Sequence, residues 1–387
     1  MYAVPGTPMT PKERLLAAMR LEQPDCVPVT PDTSVMIPCR MAGKTWWDVL
    51  LYRDPPLWKA YIDVVKYFGF DGWSPFWWID GLDAELLGQH SGDVAQECIV
   101  ARAEDRIVTR TRTERPGGVT WSDSATVYYR DQPMSLLTAA GLGLPAVPER
   151  YEVVRKNYDR RGLALYRDWV SEMGDRGVVG VPVGCVGTNW TEEAIFEWFD
   201  NRQVVLARSR AQSERVLAFT REAVKITPTP DLIHTGTSGW LTFQTPEMFE
   251  AISFENLRDV TAIAKAAGIP SQVHCCGREA YLVEVAATRT DLSCIEPLEV
   301  PPMGDCDLTD LKRRFGRRIC LKGNLHTTDV ILRGTVTEVR EACRRAIDDA
   351  AEGGGFILST GDQVPRDTPF ENIEAMVDVA RTYGRYR

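Results

Sequence analysis

The segment Ser271-Gln-Val-His-Cys-Cys-Gly277 places an imidazole and two thiols at the end of a short apolar run. His274 and Cys276, spaced His-x-Cys, could form half of a tetrahedral zinc site. The same residues could instead be a hydrogen-bonded core histidine beside small buried hydrophobes. Downstream residues favour the first reading. Glu296, Asn324 and Asp362 each lie a few residues past a later apolar run, where a parallel α/β fold gathers its chemistry. His274, Cys276, Glu296 and Asp362 are therefore the expected zinc ligands. His274, Cys276 and Asp362 are the expected catalytic residues.

A second group has the chemistry of a binding pocket. The run Asp71-Gly-Trp-Ser-Pro-Phe-Trp-Trp78 is unusually aromatic, and Arg40 lies in Pro38-Cys-Arg-Met-Ala-Gly-Lys44, a loop suited to a carboxylate. Arg40, Asp71, Trp73, Trp77, Trp78 and Asn324 are the expected substrate contacts, although any single tryptophan fits a core cluster equally well. His90 and His326 sit in surface or loop contexts. The chain has no Gly-x-x-x-x-Gly-Lys-Ser/Thr phosphate loop and no Gly-x-Ser-x-Gly nucleophile elbow.

The elements that must position these residues follow from periodicity. Val27–Thr30, the run ending at Trp73, Gly177–Val183, Leu232–His234, Gln272–His274, Leu292–Ile295, Ile319–Lys322 and Phe356–Ser359 are eight apolar runs, most of them separated by helical patterns. Repeated strand–helix units imply a parallel sheet, and eight strands close a (β/α)8 TIM barrel. A doubly wound open sheet would be favoured by a Gly-x-Gly-x-x-Gly turn after its first strand, which is lacking. Alternating residues around Ile107–Thr113 and Val119–Trp121, split by Pro116-Gly-Gly118, predict a β-hairpin inserted at about 97–130. The whole chain, 1–387, reads as one barrel domain with that insertion. Thr10-Pro-Lys-Glu13 predicts a capped helix start.

A formal charge of -9 argues against a nucleic-acid partner. No apolar run reaches the length of a membrane span, and the first residues lack the pattern of a signal peptide. Ten cysteines without regular spacing suit reduced thiols, so a cytoplasmic location is expected.

Several motifs together resemble the uroporphyrinogen decarboxylase superfamily. They are Thr10-Pro-Lys-Glu-Arg-Leu-Leu-Ala-Ala-Met19 with Pro24-Asp-Cys-Val-Pro-Val29, then Thr245-Pro-Glu-Met-Phe249, Val273-His-Cys-Cys-Gly277, Lys322-Gly-Asn-Leu325 and Leu358-Ser-Thr-Gly-Asp-Gln-Val-Pro-Arg-Asp-Thr-Pro369. The resemblance spans nearly the whole chain. It implies either a metal-independent decarboxylase or a zinc-dependent methyltransferase that exchanges methyl groups with a corrinoid. Arg40-Met-Ala-Gly-Lys44 departs from the decarboxylase signature, and Asp362 stands where a decarboxylase has His. His274 and Cys276 match the methyltransferase pattern, with Asp362 in place of its second Cys. The resemblance therefore implies a methyltransferase using zinc and cobalamin, acting on a small methyl donor, such as a methoxylated aromatic, and a cobalamin or thiol acceptor. No Asp-x-His-x-x-Gly signature occurs, so the cobalamin would arrive on a separate corrinoid protein. A decarboxylase or lyase holding a small carboxylate on Arg40, and a non-catalytic binding protein, are the alternatives.

Overall fold

The computed structural model describes residues 8–74, 79–89, 92–187 and 192–386. Barrel strand β1 (Gly72–Ser74) is followed by five strands of an insertion: β2 (Val94–Arg102), β3 (Arg106–Arg115), β4 (Gly118–Tyr129), β5 (Ser135–Thr138) and β6 (Glu152–Val153). The barrel resumes with β7 (Gly177–Pro182), β8 (Leu232–Thr235), β9 (Ser271–His274), β10 (Cys294–Glu296), β11 (Cys320–Leu325) and β12 (Phe356–Thr360). The seven barrel strands pair in parallel in the order β1-β7-β8-β9-β10-β11-β12.

Residues 27–30 close the circle. Thr30 donates to the Leu358 carbonyl and Leu358 to that of Pro28, while on the other side Asp71 donates to the Val29 carbonyl. All eight apolar runs thus occupy barrel positions. They read as nearly continuous hydrophobic stretches because parallel strands are buried on both faces, inside the barrel and under its helices; every residue of β7 is buried.

The two ends of the barrel differ in what fills them. At the amino-terminal end the helix Pro11–Met19 acts as a plug. It starts on the expected capping box, with Thr10 and Glu13 satisfying each other's backbone donors. Its Leu15, Ala18 and Met19 pack on Trp73, Val178, Leu232, Cys294, Cys320 and Ile357, one inward residue from each of six strands. The carboxyl-terminal end is left to polar side chains.

The insertion is larger than the expected hairpin. β3 and β4 are that hairpin, joined by a turn at Arg115–Gly118, but the sheet is five-stranded and antiparallel, in the order β5-β4-β3-β2-β6. β5 and β6 are short and largely exposed, so they carry no alternation to read. The sheet docks through Ile99, Ile107 and Tyr128 on Leu51, just past the helix Trp46–Leu50. Between β8 and β9 lie two successive helices, Pro246–Ile252 and Phe254–Ala266. Among the described residues no helix is long and apolar enough to cross a membrane.

Candidate active site at the barrel mouth

Strand register builds the site from below. On β9 and β10, His274 stands opposite Glu296, and Ile295 stands opposite Leu321 of β11, so His274, Glu296 and Lys322 form one inward-facing row across three neighbouring strands. His274 Nδ1 lies 3.2 Å from Glu296 Oε1, and the Lys322 ammonium pairs with Glu296 Oε2. Lys322 is sealed from solvent, its Nζ 3.3 Å from the centre of the Trp73 ring. An ammonium buried this deeply needs a paired anion, and the aromatic face adds a cation–π contact.

Charge states follow from these contacts. Burial works against ionisation of Glu296, but the Lys322 charge, aided by His274, holds its carboxyl down to about 2. Burial likewise opposes a charged His274. Hydrogen bonds to Cys276 and Glu296, with the charges of Glu296 and Asp362, outweigh it and raise His274 well above the usual imidazole range. His234, one strand away on β8, is pushed down to about 3 by burial and is a neutral imidazole at neutral pH.

Just above this row the chain turns bring three ligand groups together. Cys276 lies two residues beyond His274, Glu299 three beyond Glu296, and Asp362 two beyond the end of β12. One ligand atom from each of Cys276, Glu299 and Asp362 falls within 4.8 Å of the other two. The Gly277 amide donates to Glu299, fixing its loop against that of Cys276. Asp362 has a left-handed backbone, φ 98°, an unfavourable conformation for a residue with a Cβ. It is held by the Thr360 hydroxyl on its carbonyl. Arg40 secures the rest of that loop through the carbonyls of Arg366 and Thr368. Among the described residues neither Glu299 nor Asp362 is paired with lysine or arginine. Burial raises Glu299 above the usual carboxyl range, and the Asp362 charge pushes the same way. A thiol and two carboxylates with no lysine or arginine between them fit a zinc ion, which takes Cys and carboxylate ligands and leaves a position open in catalytic sites.

A cavity of about 810 Å³ opens beside this centre, between the ends of β7 and β8 and the helix Arg202–Ala223. His234 and His274 form its floor, and Arg208, Arg215 and Phe219 stand on its helical wall. His274 therefore touches both the cavity and, through its hydrogen bond to Cys276, the ligand group.

Several expected contacts lie elsewhere. Asp71 precedes β1, at the opposite end of the barrel from the mouth, where it is fully buried between Arg14 and Arg381. It is not a substrate contact, because a strand end read from a three-residue run does not reveal its direction. Trp73 is an interior residue: its indole N–H donates to Gln272 Oε1 at 2.9 Å, and it lines no part of the large cavity. Trp77, Trp78 and His90 lie outside the described residues. Arg40 is occupied by loop carbonyls and stacks over Phe370 at 4.3 Å, leaving it poorly placed to hold a carboxylate substrate. Glu296 is drawn off by Lys322 and His274, and Glu299 stands in the ligand group instead. His274 contacts Cys276 but is not in that group. Asn324 is buried at the end of β11, beside Glu299 and His326. Sequence reasoning missed Lys322 and His234. Their only signal was a charged or ionisable residue inside an otherwise apolar run.

Comparisons with known proteins agree with this architecture. The fold follows that of a methyltransferase from Methanosarcina mazei with a TM-score of 0.64 and 16% identity, covering 97% of this chain and 99% of that one. A sugar phosphate isomerase/epimerase from Parabacteroides distasonis overlaps 57% of this chain and 77% of its own, at 14% identity and a TM-score of 0.33, too loosely to bear on the fold. Comparison with curated protein sequences gave no match. Residues 217–383, the part of the barrel that carries His234, His274, Cys276, Glu299, Lys322 and Asp362, match the family described as Uroporphyrinogen decarboxylase (URO-D).

Proposed function

We propose that this chain is a zinc-dependent methyltransferase that works with a corrinoid carried on a separate protein. The observation that carries the reading is the convergence of Cys276, Glu299 and Asp362 within 4.8 Å at the barrel mouth. The URO-D match over 217–383 and the likeness of fold to the methyltransferase from Methanosarcina mazei support the reaction class.

Cys276, Glu299 and Asp362 would hold the metal. Bound there, zinc would supply a Lewis acid that keeps an acceptor thiol or hydroxyl as its anion at neutral pH. The chain's own residues do the rest. Lys322 holds Glu296, Glu296 holds the Nδ1 side of His274, and His274 holds the Cys276 sulfur, so the thiol is fixed from below by a sealed row. The neutral imidazole of His234 faces the cavity as a hydrogen-bonding group that does not repel a cationic centre. The cavity volume suits a small methyl donor or acceptor entering beside His274.

Metal analysis of the purified protein is the first test, followed by demethylation of methylcobalamin with thiol and phenolate acceptors, read by absorbance. Zinc near one per chain, and turnover abolished by chelation and restored by zinc, are expected. Full turnover in a metal-free protein, or decarboxylation of a porphyrinogen under the same conditions, overturns the reading.

A further inference from the structure

A second cavity, of about 390 Å³, lies away from the barrel mouth, where the inserted sheet meets the outer helices. Trp58 from the helix Leu57–Phe68 and Trp169 from the helix Gly162–Met173 stand 6.1 Å apart with their planes at 35°. Tyr158, from the segment returning out of the insertion, meets Trp58 edge-on at 5.7 Å. Met134, just before β5, lies at the rim and is 54% exposed. The volume falls within the range of small-molecule sites, which combine aromatic walls with a few polar groups.

The charges around it are already matched. Arg53 pairs with Asp80 at 2.6 Å, Lys156 with Glu97 at 2.8 Å, and the hydroxyls of Tyr158 and Tyr128 donate to Asp168 and Glu97. A charged ligand would have to break one of these pairs to find a counter-ion, leaving a part-buried charge uncompensated. A flat uncharged ring system needs no counter-ion, and it can stack on the indoles or meet their edges at the geometry they already show one another.

From this we propose that the cleft is a binding site for an uncharged, flat aromatic molecule, separate from the cavity at the barrel mouth. Its walls come from both the barrel and the insertion, so an occupant ties the two together. Asp80, through Arg53, joins the cleft to the chain leaving β1.

The test uses the full chain and three fluorinated probes observed by 19F NMR: 5-fluoroindole (neutral), 4-fluorobenzoate (anionic) and 4-fluorobenzylamine (cationic). Saturable broadening of 5-fluoroindole at millimolar concentration is expected, with the charged probes at least about tenfold weaker. Met134→Trp, a change at an exposed rim position that tolerates it, should fill the cleft and weaken 5-fluoroindole by at least about tenfold. Leu57→Phe serves as a second blocking variant should the first fail to fold. Binding that survives both variants places the probe elsewhere, and equal binding of the anion or the cation contradicts the charge argument. Either result, or no saturable binding, overturns the proposal. None of these readouts depends on zinc or methyl transfer, so this site and the proposed function fail separately.

Discussion

Charged groups gather at both ends of the barrel, and the two gatherings are built on opposite principles. At the amino-terminal end, Arg14 bonds Asp25 at 2.7 Å and Asp71 at 2.6 Å, and Arg381 reaches Asp71 at 3.0 Å. The second oxygen of Asp71 takes the Val29 amide at 2.7 Å. Two guanidinium groups meet two carboxylates, and the remaining lone pairs are used. At the mouth, Cys276, Glu299 and Asp362 crowd together, with Asp32 buried nearby, and no arginine or lysine among the described residues bonds to them. The first cluster is complete as it stands and ties the plug helix, the start of β1 and the last helix into one knot. At the second, the raised His274 imidazole reaches only the Cys276 sulfur, and the two carboxylates are left for a cation. Compensation, more than the number of charges, separates a structural cluster from a functional one here.

The largest effect that could break this comparison is at the mouth. Cys276→Ser should lower methyl transfer and zinc content by several orders of magnitude and one full equivalent respectively, while the thermal midpoint of the metal-free protein stays within a few degrees. A variant that unfolds, or one that keeps its zinc, would show that the mouth is a structural cluster like the other. Asp71→Ala is the mirror experiment. Removing one partner from a buried charge knot costs about 3–5 kcal/mol, measurable by urea unfolding, and the folded fraction should keep its zinc. Loss of metal with unchanged stability would reverse the assignments.

How much of this was legible in the sequence depended on the type of cue. The eight strands could be read because both faces of each are buried, which leaves an uninterrupted apolar signature. Cys276 and Asp362 could be read because both immediately follow such runs. Glu299 could not be placed ahead of Glu296, because which acid reaches the mouth depends on the turn at Pro297 and on the ammonium of Lys322 capturing the nearer one. Asp71 and Trp73 were misplaced for a related reason. Run length locates a strand, but only register and direction say which end a residue occupies and whether it faces in or out. β5 and β6 escaped notice because short, exposed strands have little burial to imprint on their residues, and β2 because its intermediate and buried positions do not alternate cleanly.

A subtler distinction concerns the sealed row beneath the mouth, which is compensated like the amino-terminal knot yet touches the ligand group. The double change Lys322→Met with Glu296→Gln removes both charges, and His274, deprived of the carboxylate that raises it, can shed its proton, so no lone buried ion need remain. If the row positions Cys276 through His274, zinc affinity should fall about 10–100-fold, as for the loss of a supporting shell around a metal ligand. Competition with a chromophoric chelator measures this. Unchanged affinity would assign the row to stability alone.

The smallest and most diagnostic effect concerns Asp32, which sits behind Asp362 and accepts from the Ser34 hydroxyl at 2.5 Å. Burial, reinforced by the charges of Asp362 and Glu296, raises its carboxyl to about 7. In the unfolded chain the same group loses its proton near pH 4. Between those values the native metal-free state binds more protons than the unfolded state, so stability must fall as pH rises from about 4 to about 7, by at most about 1.4 kcal/mol per pH unit. Asp32→Asn should flatten that slope in urea unfolding curves taken across the window. Asp362→Asn, which removes one of the two charges raising Asp32 and suits the left-handed backbone at that position, should move the window to lower pH. Zinc should do the same in the wild-type chain, because a bound cation offsets the charge of Asp362, and its binding near pH 6 should release a proton to the buffer that Asp32→Asn no longer releases. A flat profile in the metal-free wild type would mean that the mouth is compensated after all, and the contrast between the two ends would collapse.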